Sequence, residues 1–425
     1  MILDRKIAPS RKAIELPNFI QPKEYCLQNG TPLFVLEGGG QEVIAIEFLF
    51  NSGTFVQDKI LSAGLTNNML LSGTTKYTAN ELADKIDFYG AYTQVEIGKD
   101  ISSLTVYTMN KYLDEVLNYI EDVLENANFP ENEFQTSLAR RKQQFLIGEE
   151  KVQQLSRKDF NKTVFGGTPY GAFATIEDYN RINRDDIQDF FNRFYKHSYM
   201  EIIVSGQLPE GFADMVDRKF GKQKRAADHL RYFEYETSTN AAEKIYKEKE
   251  DALQSSIRIG RSLFSGNHED FFGMKMLNTV LGGYFGSRLM SNLREEKGYT
   301  YGVGSSILGL RFDGVFQIAT EVGVDVTNDA VNEIYKELAR LRDTSIAVEE
   351  LDLVRNYMLG KILKMADGPF AQANLYKNLR INRFDFSFYQ DYIEVIKNIS
   401  PEELKALANK YLQVEDLTEV VVGKR

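Results

Sequence analysis

The order of elements along the chain is given twice, and that repetition restricts the fold more than any single motif. In the first half, the stretch from Leu27 to Leu36, with Asn29-Gly30 at its middle, reads as a hairpin. Val43 to Phe50 follows as a strand in which Ala45 and Glu47 break the large apolar residues, the pattern of a half-buried strand. Helical periods come next at Ala63 to Leu71 and Asn80 to Tyr89. Ala91 to Met109 returns to strand composition, and helices run over Tyr112 to Asn126 and Glu131 to Glu150. The second half repeats this order, with a strand at Ser255 to Arg261 and helices at Asp270 to Leu281 and Gly286 to Arg294. Strands at Thr300 to Leu310 and Gly314 to Val322 precede helices at Asn328 to Arg342 and Val348 to Met365. Glu133-Phe134 and Glu350-Leu351 hold equivalent places. Solenoid repeats run about 20 to 50 residues, so self-similarity at half the chain length means a duplicated α+β unit.

The polar, aperiodic run from Gly221 to Asp228 and on to Asn240 separates the copies. It sets an N-terminal domain at 1–222, a linker at 223–245 and a C-terminal domain at 246–425. With 425 residues and 43% hydrophobic content, each copy is large enough for its own core. A net charge of -10 disfavours nucleic acid and anionic lipid as partners, and no run of apolar residues reaches the roughly 20 needed to span a bilayer. Met1 to Lys6 meets an acid at its fourth residue and has no apolar stretch, so the expected location is cytoplasmic. The single cysteine, Cys26, is read as a small core residue, because no histidine stands in an obvious relation to it.

Residues 282 to 306 carry the most specific motif, a turn with Gly282, Gly283 and Gly286, an amphipathic helix ending near Arg294, and an aromatic strand containing Tyr301. No Gly-Lys-Ser/Thr follows and the spacing is not G-x-G-x-x-G, which excludes a phosphate loop. The run resembles the substrate-binding signature in the C-terminal domain of the pitrilysin/insulinase (M16) zinc peptidases. The resemblance covers nearly the whole chain and implies two homologous domains, each a mostly antiparallel sheet flanked by helices.

In that family the N-terminal domain carries H-x-x-E-H on a helix, two histidines one turn apart holding zinc with a glutamate as general base. The stretch Gly64 to Thr74 is similar, with Met69-Leu70 and Gly73-Thr74 fixing the register. That register puts Gly64 and Asn68 at the histidines, Asn67 at the glutamate and Gln144 at the third ligand. Amides are weak neutral donors and glycine offers none, so this chain is expected to hold no metal, and zinc is expected in a partner. The histidines, His197, His229 and His268, are scattered and read as packing or surface residues.

The resemblance further implies that Arg294 and Tyr301, seven residues apart, bind substrate backbone and clamp the scissile carbonyl. The plainer alternative pairs Arg294 with Glu295, Glu296 or another acidic neighbour and half-buries Tyr301 in a strand. Zinc-bearing members add peptide as a strand at a sheet edge; the strand after Gly90-Ala91 holds that place here, with Gln94 where the family often has Asn. Together these features imply a non-catalytic, substrate-binding subunit of a heterodimeric zinc metallopeptidase, paired with an H-x-x-E-H chain and acting on peptides. The alternative is an inactive homologue serving as a structural or peptide-binding protein, as a homodimer or in a larger assembly.

Overall fold

A computed structural model describes residues 17–228, 230, 235 and 242–424. The first strands are β1 (Lys23–Cys26), β2 (Pro32–Glu37) and β3 (Val43–Phe50), with Gly30 at φ +83° closing the turn between β1 and β2. The predicted strand at 91–109 is a hairpin of β4 (Tyr92–Ile97) and β5 (Ser102–Met109), and β6 (Met200–Gly206) completes the half. The second half supplies β7 (Lys244–Glu248), β8 (Gln254–Leu263), β9 (Val303–Gly309), β10 (Gly314–Gly323) and β11 (Thr418–Gly423).

Strand pairing exposes the duplication. One sheet has the order β1-β2-β6-β3-β5-β4 and the other β7-β11-β8-β10-β9. In each, one pair is parallel (β2 with β6, β7 with β11) and the other pairings are antiparallel. Among the described residues, only β1 lacks a counterpart. The fold is thus α+β, with two homologous, mostly antiparallel sheets flanked by helices.

Each sheet buries one face against helices of its own half. The helix Leu113–Asn126 places Leu113, Val116, Leu117, Ile120 and Val123 on one stripe, all fully buried in the first core. The helix Ala79–Phe88 starts where Thr78 and Glu81 cap each other's backbone N–H groups. In the second half, Ile334, Leu338 and Leu341 of the helix Thr327–Asp343 fill the corresponding core.

The opposite faces are covered by helices exchanged between the halves. The helix Gly368–Ile381, from the second half, lies on β2 and β6, packing Leu375, Tyr376 and Leu379 against Phe34, Leu36 and Ile203. In return the helix Val152–Phe165, from the first half, lies on β8 and β11, packing Phe160 and Val164 against Val420 and Val422. Polar contacts pin both. Arg380 makes two 2.9 Å hydrogen bonds to Glu201, Lys377 reaches Glu47 at 2.9 Å, and Ser156 shares a 2.8 Å hydrogen bond with Ser256.

This exchange corrects the reading of β3, which is buried along its length rather than on alternate residues. Its second face meets the borrowed helix, and Glu47 sits inside because Lys377 neutralises it. Cys26 is also corrected: on the outermost strand β1 it is an exposed free thiol. The helix predicted at Gly286 to Arg294 is mostly a wide π turn over Met290–Glu296. Within the 223–245 segment, β7 begins at Lys244. Residues 229, 231–234 and 236–241 of that segment, including His229 and the Thr237 to Asn240 run, lie outside the described residues, as do residues 1–16 with Met1 to Lys6. No helix among the described residues is long and apolar enough to cross a membrane.

Candidate functional site

The four positions aligned with the zinc motif sit on two facing helices, Ser62–Asn68 and Glu131–Glu149. Asn68 and Gln144 line one cavity of about 840 Å³, but Asn67 does not. Asn67 is fully buried, and its Oδ1 accepts a 3.0 Å hydrogen bond from the Tyr195 hydroxyl, which also shares one of 2.7 Å with Ser102. A side chain committed to the core in this way cannot act as a base in the cavity.

Beside Gly64 stands a cation. Arg141 Nη2 donates to the Gly64 carbonyl oxygen at 3.2 Å, and Nη1 lies 3.4 Å from where a Gly64 Cβ would project. Asn68 turns back onto the same carbonyl at 2.9 Å. Burial, and after it the neighbouring Arg140, push the Arg141 guanidinium below the usual arginine range, yet arginine stays charged in proteins. Arg140, Lys151, Arg157 and Lys158 add positive charge to the wall; the facing carboxylate, Glu149, is paired with Lys158 at 3.1 Å. Two amides, a glycine and a wall of cations do not fit Zn²⁺, which takes imidazole, thiolate or carboxylate. Among the described residues, no group of three or more His, Cys, Asp and Glu could hold a metal. His197 is exposed, and His268 stacks on Phe264 with its Nδ1 accepting from the Asp270 N–H. Sequence reading missed Arg141; its position one helical turn before Gln144 was the available signal.

The second locus is built by the glycine-rich turn. The helix Phe271–Gly282 ends against β9, where a Cβ on Gly282 would stand 2.6 Å from the Ser305 backbone nitrogen, so glycine alone permits the contact. The π turn that follows is anchored from both sides. Arg288 forms a two-point bond to Glu350 at 2.9 and 2.8 Å, and the Asn292 amide donates to buried Glu337 at 2.8 Å. Single π turns recur at functional sites because the wider turn redirects one side chain.

Arg294 lies in this turn. Its guanidinium lies 4.8 Å from the Phe285 ring centre and 5.0 Å from that of Tyr301, making a stacked cation–π arrangement. Among the described residues it makes no ion pair, so Glu295 and Glu296 are not its partners. Tyr301 is 91% exposed and Phe285 61%, values far outside those of half-buried strand aromatics. The structure therefore brings together a half-buried Arg294, which makes no ion pair among the described residues, and the exposed Tyr301.

Tyr301 borders an opening of about 410 Å³ whose lining includes Gln153 from the borrowed helix, together with Arg258 and Glu321. Arg258 is almost fully buried, and burial followed by the nearby Arg157 push it down to about 10, against the opposing pull of Glu321. Gln153 and Gln154 are adjacent, and Gln154 lines the cavity beside Asn68. One helix thus lies between the two loci. β4 is an edge strand, and the Gln94 amide is turned onto Glu96 at 2.8 Å.

A duplicated sheet-and-helix fold whose metal locus offers no zinc ligands, with Arg294 stacked beside an exposed Tyr301, defines a metallopeptidase-type scaffold whose residues do not fit the metal. The chain belongs to the M16 peptidase family: residues 58–174 match the model of the insulinase family (peptidase family M16), and residues 181–358 that of the peptidase M16 inactive domain. It is 23% identical over 347 residues to an uncharacterized zinc protease, YmxG, of Bacillus subtilis, covering 80% of this chain and 83% of that one. It is 22% identical over 395 residues to the non-peptidase homolog YmxG of Helicobacter pylori, covering 89% of each. A peptidase M16 inactive domain from Pseudomonas fluorescens has the same fold, with a TM-score of 0.82 at 20% identity over 95% of this chain and 98% of that one.

Proposed function

We propose that this chain is a non-peptidase M16 subunit that binds peptide through Arg294 and Tyr301 and works beside a zinc-bearing H-x-x-E-H partner. The reading rests chiefly on one contrast. Arg141 stands at the metal locus, whereas the arginine–tyrosine pair makes no ion pair among the described residues and its turn is held by Arg288–Glu350 and Asn292–Glu337. A surface used only as scaffold has no need to keep an arginine and a phenol stacked toward solvent. The tyrosine hydroxyl and guanidinium can both donate to a peptide carbonyl oxygen and to the negative charge that develops on it during attack.

Mixing the purified chain with a candidate H-x-x-E-H chain tests this directly. Cleavage of an unfolded peptide should require both chains and stop on chelation. Tyr301→Phe should lower kcat by about 10- to 1000-fold, the range for loss of one oxyanion donor, with assembly unchanged. Arg294→Ala should lower kcat/KM through lost orientation and charge. Unchanged turnover in both variants, in a complex that still forms, would leave the scaffold reading in its place.

A further inference from the structure

A third cavity lies between the halves, with Gly283 of the glycine-rich turn on its wall but neither Arg294 nor Tyr301. It has a volume of about 630 Å³, within the range of small-molecule sites, and its wall joins Ile101 of the first half to Leu308, Leu379 and Phe388 of the second. Most of that wall is apolar. Two lysines enter it, Lys275 and Lys361, and neither has a carboxylate partner or a side-chain hydrogen bond among the described residues.

Lys275 is the unusual one. Its ammonium stands 5.1 Å from the Phe271 ring centre and 6.0 Å from that of Tyr392. Burial, and then the Lys361 ammonium, hold the Lys275 amine below the usual lysine range. Among the described residues the one carboxylate on the wall, Asp100, is already engaged by the Tyr170 hydroxyl and the Arg311 backbone N–H. A third lysine, Lys99, donates to the Tyr170 carbonyl oxygen at 3.0 Å. Lys275, half-buried among apolar side chains, is an ammonium that a ligand carboxylate would complete, and the more exposed Lys361 offers a second cation on the same wall.

We infer that this cavity binds an apolar carboxylate, its carboxylate between Lys275 and Lys361 and its hydrocarbon among the rings of Phe271, Phe388 and Tyr392. A fatty acid and a peptide ending in an apolar residue share this chemistry. The inference does not depend on Arg294 or Tyr301.

Calorimetric titration of the full chain with decanoate, decylamine, and a short leucine-terminated peptide in free-acid and amidated forms tests it. The carboxylates should bind at one site, with decylamine and the amidated peptide weaker by about 10-fold or more, the usual loss for a charge-assisted hydrogen bond. Tighter binding of decanoate than of the free-acid peptide identifies a lipid-type ligand, and the reverse a chain terminus. Lys275→Met should weaken carboxylate binding by a similar factor without lowering thermal stability. Lys361→Gln, at an exposed position where folding is not at risk, should weaken it as well. Equal binding of decylamine and decanoate, no binding of either carboxylate, or an unchanged Kd in Lys361→Gln would overturn the inference.

Discussion

Replacing Lys377 by methionine tests whether the exchanged helix stabilises the sheet beneath it. Lys377 belongs to the second half, but its ammonium lies 2.9 Å from Glu47 in β3 and 3.0 Å from Glu96 in β4. The Glu47 side chain is 8% exposed and that of Glu96 50%. Losing the Glu96 contact should cost no more than about 1 kcal/mol, as for surface pairs. Glu47 decides the outcome. Left buried with no counter-ion it should cost about 3–5 kcal/mol, whereas Glu47→Gln together with Lys377→Met removes both charges and should cost about 1 kcal/mol or less. The arithmetic therefore predicts a double variant more stable than one of its parents. Urea unfolding followed by tyrosine fluorescence reads both halves, since the chain has 23 tyrosines and no tryptophan. A Lys377→Met loss below about 1 kcal/mol, or a double variant as unstable as the single one, would refute the argument.

Metal analysis of the chain purified alone should find no stoichiometric zinc. Gly64→His, Asn68→His and Gln144→Glu together should give only weak zinc binding, and adding Arg141→Leu should tighten it by about 10-fold or more, because a guanidinium repels the ion at short range; zinc affinity indifferent to residue 141 would remove Arg141 from the account. Gly206, at φ +119°, faces the Val43 carbonyl oxygen, which would stand 2.3 Å from an added Cβ, so Gly206→Ala should cost about 3 kcal/mol in thermal or urea unfolding. At alkaline pH the buried tyrosines should govern stability. Burial raises Tyr170, Tyr195 and Tyr235 above the usual 10.0, so their contribution is intact below that value and is lost as pH rises and the unfolded chain alone ionises. Unfolding at graded pH should show this decline beginning near pH 10, and Tyr195→Phe should flatten it while lowering stability at neutral pH through loss of the Asn67 contact.

The sequence makes the duplicated order readable because each strand and helix carries its own period, and Gly30, Thr78 and Gly282 mark turns and ends by local chemistry. The exchanged helices are not readable in this way. An apolar stripe such as Leu375, Tyr376 and Leu379 shows that a helix is covered, not which sheet covers it, and the misread second face of β3 follows from that. At the site, the Gly282 to Tyr301 run points to the arginine–tyrosine pair, because the glycines and the spacing are local. Arg141 is different. In the run Arg140-Arg141-Lys142 it looks like one more solvated charge, and only the crossing of two helices distant in sequence turns it toward Gly64.

The helix exchange also sets the order in which this protein can be completed on the ribosome. β1 to β6 are synthesised by residue 206, yet Phe34, Leu36 and Ile203 stay uncovered until residues 368–381 emerge. At the usual 5–20 residues per second that delay is on the order of ten seconds, an interval in which the nascent chain presents an open apolar sheet. Premature release at any point before residue 381 would leave that sheet permanently bare. Truncated chains should therefore aggregate or occupy chaperones rather than survive as a folded first half.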